Sequence, residues 1–254
     1  MEGALAGFVA SLVAATGTAL GAMILLVRRT WSPLQQTLML ATSAGIMLGA
    51  TVFSLTLPAL ESLRGMLGDL GGTGWVAAMI VAGAATVGLI HRFVPHEHSV
   101  KGREGPPSVD LRGPTLFSLA IALHNVPEGL SVGVASTADL QTGLPVLLGI
   151  TTQNLPEGFA VAAALSAGGV SRGKAVVAGA LTGVAEIAGG LMGIALVGLG
   201  EAVVPFAYAF AAGAMLFVIS GEVIPETHTA GKESRATYAL VLGFCAMMLL
   251  DVLF

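Results

Sequence analysis

His124 and Glu128 stand four residues apart, as do Gln153 and Glu157, inside two segments of matching pattern: His124-Asn125-Val126-Pro127-Glu128-Gly129 and Gln153-Asn154-Leu155-Pro156-Glu157-Gly158. Side chains at i and i+4 of a helix share a face, so each pair can converge on one ion. Asn125 and Asn154 project about 100° further round, towards a neighbouring point. Imidazole nitrogen and carboxylate oxygen without thiolate suit borderline dications such as Zn²⁺, Fe²⁺ or Mn²⁺, and histidine argues against a dedicated Ca²⁺ or Mg²⁺ cage. Two bound ions could share Glu128 and Glu157 as bridges.

Both segments lie in the middle of hydrophobic runs long enough to cross a bilayer. A carboxylate at that depth costs about 2.5–3.5 kcal/mol on insertion scales, which makes it a functional residue by default. A third one, Glu186, sits at the centre of another run, and all these polar groups fall near the midpoints of their spans and so at one depth. Polar residues also glue membrane helices together through hydrogen bonds, but three carboxylates, a histidine and three amides at one depth exceed what glue requires. Pro127 and Pro156 cannot donate the usual backbone bond and free the carbonyls of Leu123 and Thr152 beside the same cavity.

The elements that must hold these residues follow from composition. Of 254 residues, 55% are hydrophobic and 10% charged, against about 25% charged in soluble domains. The chain reads as a single all-α integral membrane domain over 1–254. Eight continuous apolar spans, near 3–27, 34–60, 73–94, 114–138, 143–167, 173–199, 202–226 and 236–254, each suffice for a hydrocarbon core about 30 Å thick. Glycines at four-residue spacing, such as Gly45 with Gly49 and Gly189 with Gly193, let helices approach closely. The first run follows Glu2 and lacks the basic flank of a signal peptide, so it is expected to be retained. Cys245 is alone, which excludes an intrachain disulfide.

Arg28, Arg29, Arg92, Lys101, Arg103, Arg112, Arg172, Lys174, Lys232 and Arg235 fall on alternate connections, with Arg64 on the other side. By the positive-inside rule those connections are cytoplasmic, and both termini of this cell-membrane protein are extracytoplasmic. The one sizeable connection, 95–113, is turn-rich and expected to be a flexible cytoplasmic loop in which His96 and His98 are solvated. Glu222, Glu226 and His228 close the seventh span near the cytoplasmic boundary and are secondary candidates for an exit path.

The paired HNVPEG and QNLPEG motifs, the glutamate on the next helix and eight spans with both ends outside resemble the ZIP (Zrt/Irt-like) metal transporters. Ala44-Gly45-Ile46-Met47-Leu48, Gly213-Ala214-Met215-Leu216-Phe217 and Pro225-Glu226-Thr227-His228 resemble the bacterial branch, so the likeness covers essentially the whole chain. It implies a ZIP-type helical bundle that imports divalent metal into the cytoplasm through a binuclear midplane centre by alternating access, within a homodimer. His124, Glu128, Gln153 and Glu157 would hold the primary ion; Asn125, Asn154 and Glu186, with the shared Glu128 and Glu157, the second. Several zinc-selective members carry Asp where this chain has Asn154, which implies one carboxylate fewer and a range of metals: zinc first, then iron, manganese, cobalt and cadmium.

Two other readings compete with this one. A cation exchanger of the sodium–calcium type also repeats Pro-Glu in membrane helices, but its repeats carry Gly-Thr-Ser before the Pro-Glu and lack His and Gln. An intramembrane metalloenzyme would need a metal-bound water and a general base. No HExxH, P-loop or dinucleotide fingerprint is present, and the expectation is a transporter, not an enzyme, with metal as cargo, lipid as surroundings, and no cofactor or nucleic-acid partner. Single cysteines replacing Ser99 and Arg172 in a Cys245→Ala background should react with an impermeant maleimide only once the cytoplasmic face is opened; labelling of both in intact cells would reverse the orientation.

Overall fold

Long apolar runs without alternation leave every backbone N–H to be satisfied within its own segment, and the chain is accordingly almost all helix. The structure, a computed structural model, describes residues 2–27, 31–98, 102–107, 113–228 and 231–254. Arg28, Arg29, Ser99, Lys101 and Arg112 lie outside the described residues. Helix α1 spans Glu2–Val27. Helix α2, Pro33–Gly49, starts at a capping box in which Ser32 Oγ accepts from the Gln35 amide at 3.2 Å and Gln35 Oε1 accepts from the Ser32 amide at 3.0 Å. It runs through a π-helical segment, Ala50–Thr56, into α3, Leu57–Phe93.

This apolar stretch of 61 residues is two arms, not one rod. Gly68 has φ 76° and ψ 165°, a conformation only glycine adopts readily, and beyond it Gly72 returns against the backbone of Leu63 and Arg64. The second expected span therefore runs on to the Gly68 turn, and the third starts there. After α3 comes a short antiparallel hairpin, β1 His96–His98 with β2 Gly102–Glu104, in register His96 opposite Glu104 and Glu97 opposite Arg103. The connection expected to be wholly flexible is in part a folded hairpin, and β1 lies against α4.

Helices α4, Gly113–Ala138, and α5, Leu140–Ala167, keep Pro127 and Pro156 inside them. The sixth run is broken into α6, Arg172–Thr182, and α7, Val184–Val197. The seventh comprises a 3₁₀ turn at Glu201–Val203, α8 Val204–Val218, a π-helical Ile219–Val223 and α9 Ile224–Thr227. Helix α10, Glu233–Leu253, ends the chain. Each π segment ends two residues before a proline, Pro58 or Pro225. A proline cannot donate to the carbonyl four residues back, and the ladder ahead of it slips to the wider repeat.

Among the described residues, five helical stretches are long and apolar enough to cross a membrane. The outward surface fits lipid: Leu70 is 89% exposed and Val252 81%, side chains that a soluble protein would not leave in a contiguous apolar coat. The interior is small and partly polar, with Ala14, Ala44, Ala209 and Ala212 fully buried beside Met47 and Met215. Closest approach comes at glycines. Gly129 lies against the Glu186 carbonyl of α7 and Gly158 against the Thr18 carbonyl of α1, so tightly that a Cβ on either would overlap the facing backbone. These are the last residues of the two motifs. Gly129→Ala must push α7 away and should cost at least the roughly 1–3 kcal/mol of an overpacked core. The expected outcome is a lower melting temperature of the detergent-solubilised protein together with weaker metal retention; an unchanged melt would show that the contact carries no stability.

Candidate metal centre

Helix α4 supplies His124, Asn125 and Glu128, α5 supplies Gln153, Asn154 and Glu157, and the first turn of α7 supplies Glu186. All seven are 2% exposed or less. The structure brings them together. Asn154 Nδ2 donates to Glu186 Oε2 at 2.7 Å, and Gln153 Nε2 donates to Asn154 Oδ1. Glu128 lies beside the Gln153 amide and within electrostatic reach of Glu157 and Glu186, while Glu157 lies within reach of His124.

The break between α6 and α7 belongs to this arrangement. The Glu186 amide bonds to the carbonyl of Gly183 at 3.1 Å, one residue short of the helical partner. That frees the Thr182 carbonyl, which accepts Asn125 Nδ2 at 3.0 Å. Asn154 Nδ2 also reaches the Ala14 carbonyl at 3.2 Å, and Thr18 Oγ1 donates to Glu186 Oε1. From the other side, Ser43 Oγ of α2 donates to the Gln153 carbonyl at 3.0 Å. The amide donors are thus consumed by the scaffold. Six oxygens of the cluster are left without a hydrogen bond: Asn125 Oδ1, Gln153 Oε1 and both carboxylate oxygens of Glu128 and of Glu157. Six buried acceptors without a donor are costly, and a dication is the species that satisfies several of them at once.

Glu222, a secondary candidate at the end of the seventh span, is drawn into the cluster. It is 1% exposed, with Oε2 hydrogen-bonded to His124 Nε2 and Oε1 within ion-pair distance, 2.9 Å, of His91 Nδ1. The π-helical turn that carries it widens the helix at this point, a feature common at functional sites. Glu226 is half-buried and lines a cavity of about 460 Å³ with Gln36, Thr37, Pro156, Phe159 and Lys232. His228 faces elsewhere, its Nδ1 at 3.0 Å from Thr227 Oγ1 and its Nε2 at 3.1 Å from Thr237 Oγ1 of α10. His96, expected to be solvated, is fully buried. His91 and Thr18 escaped the sequence reading. An ionisable His91 near the end of an apolar run was a usable signal; nothing in the sequence marks Thr18. The string Gly129-Leu130-Ser131-Val132-Gly133 spells G-x-S-x-G, but it lies within α4, where buried Ser131 donates to the Pro127 carbonyl at 2.8 Å, and it forms no nucleophile elbow.

A family model described as ZIP Zinc transporter matches residues 96–251. The chain is 43% identical to the zinc transporter GufA of Myxococcus xanthus over 97% of this chain and 98% of that protein. It is 42% identical to the zinc transporter ZIPB of Bordetella bronchiseptica over 98% of this chain and 79% of that one, and 33% identical to the zinc transporter ZupT of Corynebacterium efficiens over 97% and 96%. The chain belongs to the ZIP family. The ZIP match takes in both motif segments and Glu186, the residues whose oxygens dominate the cluster.

Within this ZIP protein Asn154 acts as a donor that clamps Glu186. Asn154→Asp replaces two donated bonds by an anion facing a carboxylate. In chelator the variant should lose on the order of 2 kcal/mol, the range for a hydrogen bond to a charged group. Zn²⁺ should recover more stability than in the parent, because the added charge attracts cations. Thermal melts with and without zinc check this: equal zinc-induced shifts in both proteins would show that position 154 does not face the ion.

Proposed function

We propose that this chain is a membrane importer of divalent metal, with zinc as its principal cargo, and not an enzyme. The observation that carries the reading is the one-sided bonding of the cluster: amide donors held by the scaffold and six buried oxygens of Asn125, Glu128, Gln153 and Glu157 without a hydrogen bond. Family membership and the zinc transporter names of its relatives support the same reading.

In this reading His124, Glu128, Gln153 and Glu157 hold a primary ion, and Asn125, Asn154 and Glu186 with the shared glutamates hold a second. Eight crossings, with the two arms about Gly68 as the second and third, carry the cluster near the membrane midplane and leave both termini outside. Ions leave towards the cavity lined by Glu226 and Lys232, whose neighbouring connections are basic. Transport requires the cluster to be exposed alternately to the two sides, by movement of one helix group against another. Metal is the substrate throughout, and iron, manganese, cobalt and cadmium are further candidates.

Reconstituted protein should take up Zn²⁺ into proteoliposomes, and Glu157→Gln should cut uptake by more than the roughly 10-fold that even an outer-shell partner of a metal costs. Uptake by Glu157→Gln at the parent rate would remove the bridging role of Glu157. Failure of the parent to move any of the five metals would remove the transport reading.

A further inference from the structure

A threonine inside an apolar helix usually donates its hydroxyl to the carbonyl four residues back, which satisfies the group without leaving the helix. Thr37, Thr42, Thr51, Thr86 and Thr237 all do so, at 2.8–2.9 Å. Thr18 departs from this pattern. Buried on α1, it donates instead to Glu186 Oε1 of α7. Its own carbonyl four residues back, that of Ala14, is taken by Asn154 Nδ2 at 3.2 Å, beyond the backbone bond that every α-helical carbonyl accepts. The same Asn154 nitrogen holds Glu186 Oε2 at 2.7 Å. Asn154 thus occupies the usual acceptor of Thr18, and the two side chains hold one oxygen each of the Glu186 carboxylate.

The Thr18 backbone has no room to relieve this arrangement. A Cβ on Gly158 would overlap the Thr18 carbonyl, and one on Gly183 would lie 3.2 Å from Thr18 Cβ, so α5 and the α6–α7 break press on it from two sides. What remains is rotation about χ1, and a helical threonine has two favoured rotamers because the carbonyl four residues back is one of its acceptors. One orientation serves Glu186; the other serves Ala14. The bonding also sets Glu186 apart from the other two carboxylates. Both oxygens of Glu128 and of Glu157 lack a hydrogen bond, whereas each oxygen of Glu186 has one. A buried carboxylate supplied with donors is tolerated without a counter-ion, and one without donors is not. A single dication therefore balances the two bare glutamates, and nothing in the resting cluster calls for a second.

We propose that Thr18 is a positioning residue that withholds Glu186 from cations: the cluster takes one divalent ion at Glu128 and Glu157, and a second only when Thr18 turns back to the Ala14 carbonyl. Asn154 couples the two events. As it turns Oδ1 towards an entering ion it gives up the Ala14 carbonyl, Thr18 takes that carbonyl, and both oxygens of Glu186 come free together. The second acceptor matters, because opening then leaves no buried hydroxyl without a partner. Thr18 itself touches no ion. The inference rests on the reading of Glu186 as a ligand of the second ion and adds the α1 residue that decides when it serves.

Thr18→Val keeps the branched shape of the side chain and removes the donor. In calorimetric zinc titrations of the purified full-length protein, this variant should bind the second equivalent about tenfold more tightly than the parent, the scale of one hydrogen bond to a charged group. The first equivalent should be unchanged. Thr18→Ala should shift the second equivalent in the same direction, and Thr18→Ser, which keeps a hydroxyl, should titrate like the parent. Adding Glu186→Gln to Thr18→Val should remove the tight second equivalent. A second equivalent that is unchanged or weaker in both Thr18→Val and Thr18→Ala would overturn the role of Thr18, as would a gain that survives Glu186→Gln. A parent whose zinc binding is indifferent to both Glu157→Gln and Glu186→Gln would instead remove the two-ion reading on which the inference rests.

Discussion

The constraint on which the rest depends is electrostatic: three carboxylates, of Glu128, Glu157 and Glu186, lie at 2% exposure or less inside an apolar bundle. Glu186 is satisfied by Thr18 and Asn154, whereas Glu128 and Glu157 are not bonded by the protein. Burying a charge without a partner is tolerable only where a counter-ion accompanies it. The surrounding scaffold appropriates the amide hydrogens of Asn125, Gln153 and Asn154 and thereby stops these side chains from neutralising the glutamates themselves. A preference of this cluster for cations would in this sense be a property of where the donors are tied down.

Backbone irregularities serve the same end. The break at Gly183 releases the Thr182 carbonyl that holds Asn125, and it sets Glu186 in the first turn of a new helix. The π-helical turn ahead of Pro225 brings Glu222 to His124. The closing glycine of each motif brings a partner helix to within backbone contact one residue after the glutamate. Each motif thus encodes both a set of candidate ligands and the neighbour that confines it.

Much of this was legible in the sequence. The apolar runs gave the helices, and the four-residue spacings gave the pairs that share a face, since both depend on local periodicity. What depended on long-range partners was not legible. Glu222 read as no more than a secondary candidate at the end of the seventh span, because nothing local shows that π-helical geometry would draw it inward to His124. His96 looked solvated because the hairpin that buries it owes its position to packing against α4. The sixth run gave no sign of its interruption, since Gly183 with φ −63° needs no unusual conformation. Arms joined at Gly68 read as separate spans with a loop between them, because a lone glycine is a weak punctuation mark in a glycine-rich chain.

The glycine contacts also divide the bundle mechanically. Gly129 locks α4 to α7 and Gly158 locks α5 to α1, while Gly45 seats α2 on Leu240 of α10 and Gly83 seats α3 on Phe210 of α8. Helices joined backbone to backbone shift as one body. Between the group containing α1, α4, α5 and α7 and the group containing α2, α3, α8 and α10, the seam along α2 and α5 is loosely filled, bordered by cavities of about 460 Å³ and about 270 Å³. Voids forfeit dispersion contacts that a sliding interface would otherwise have to break. The same small residues that make each half stiff therefore place the line of least friction beside Gln153 and Pro156, at the edge of the cluster.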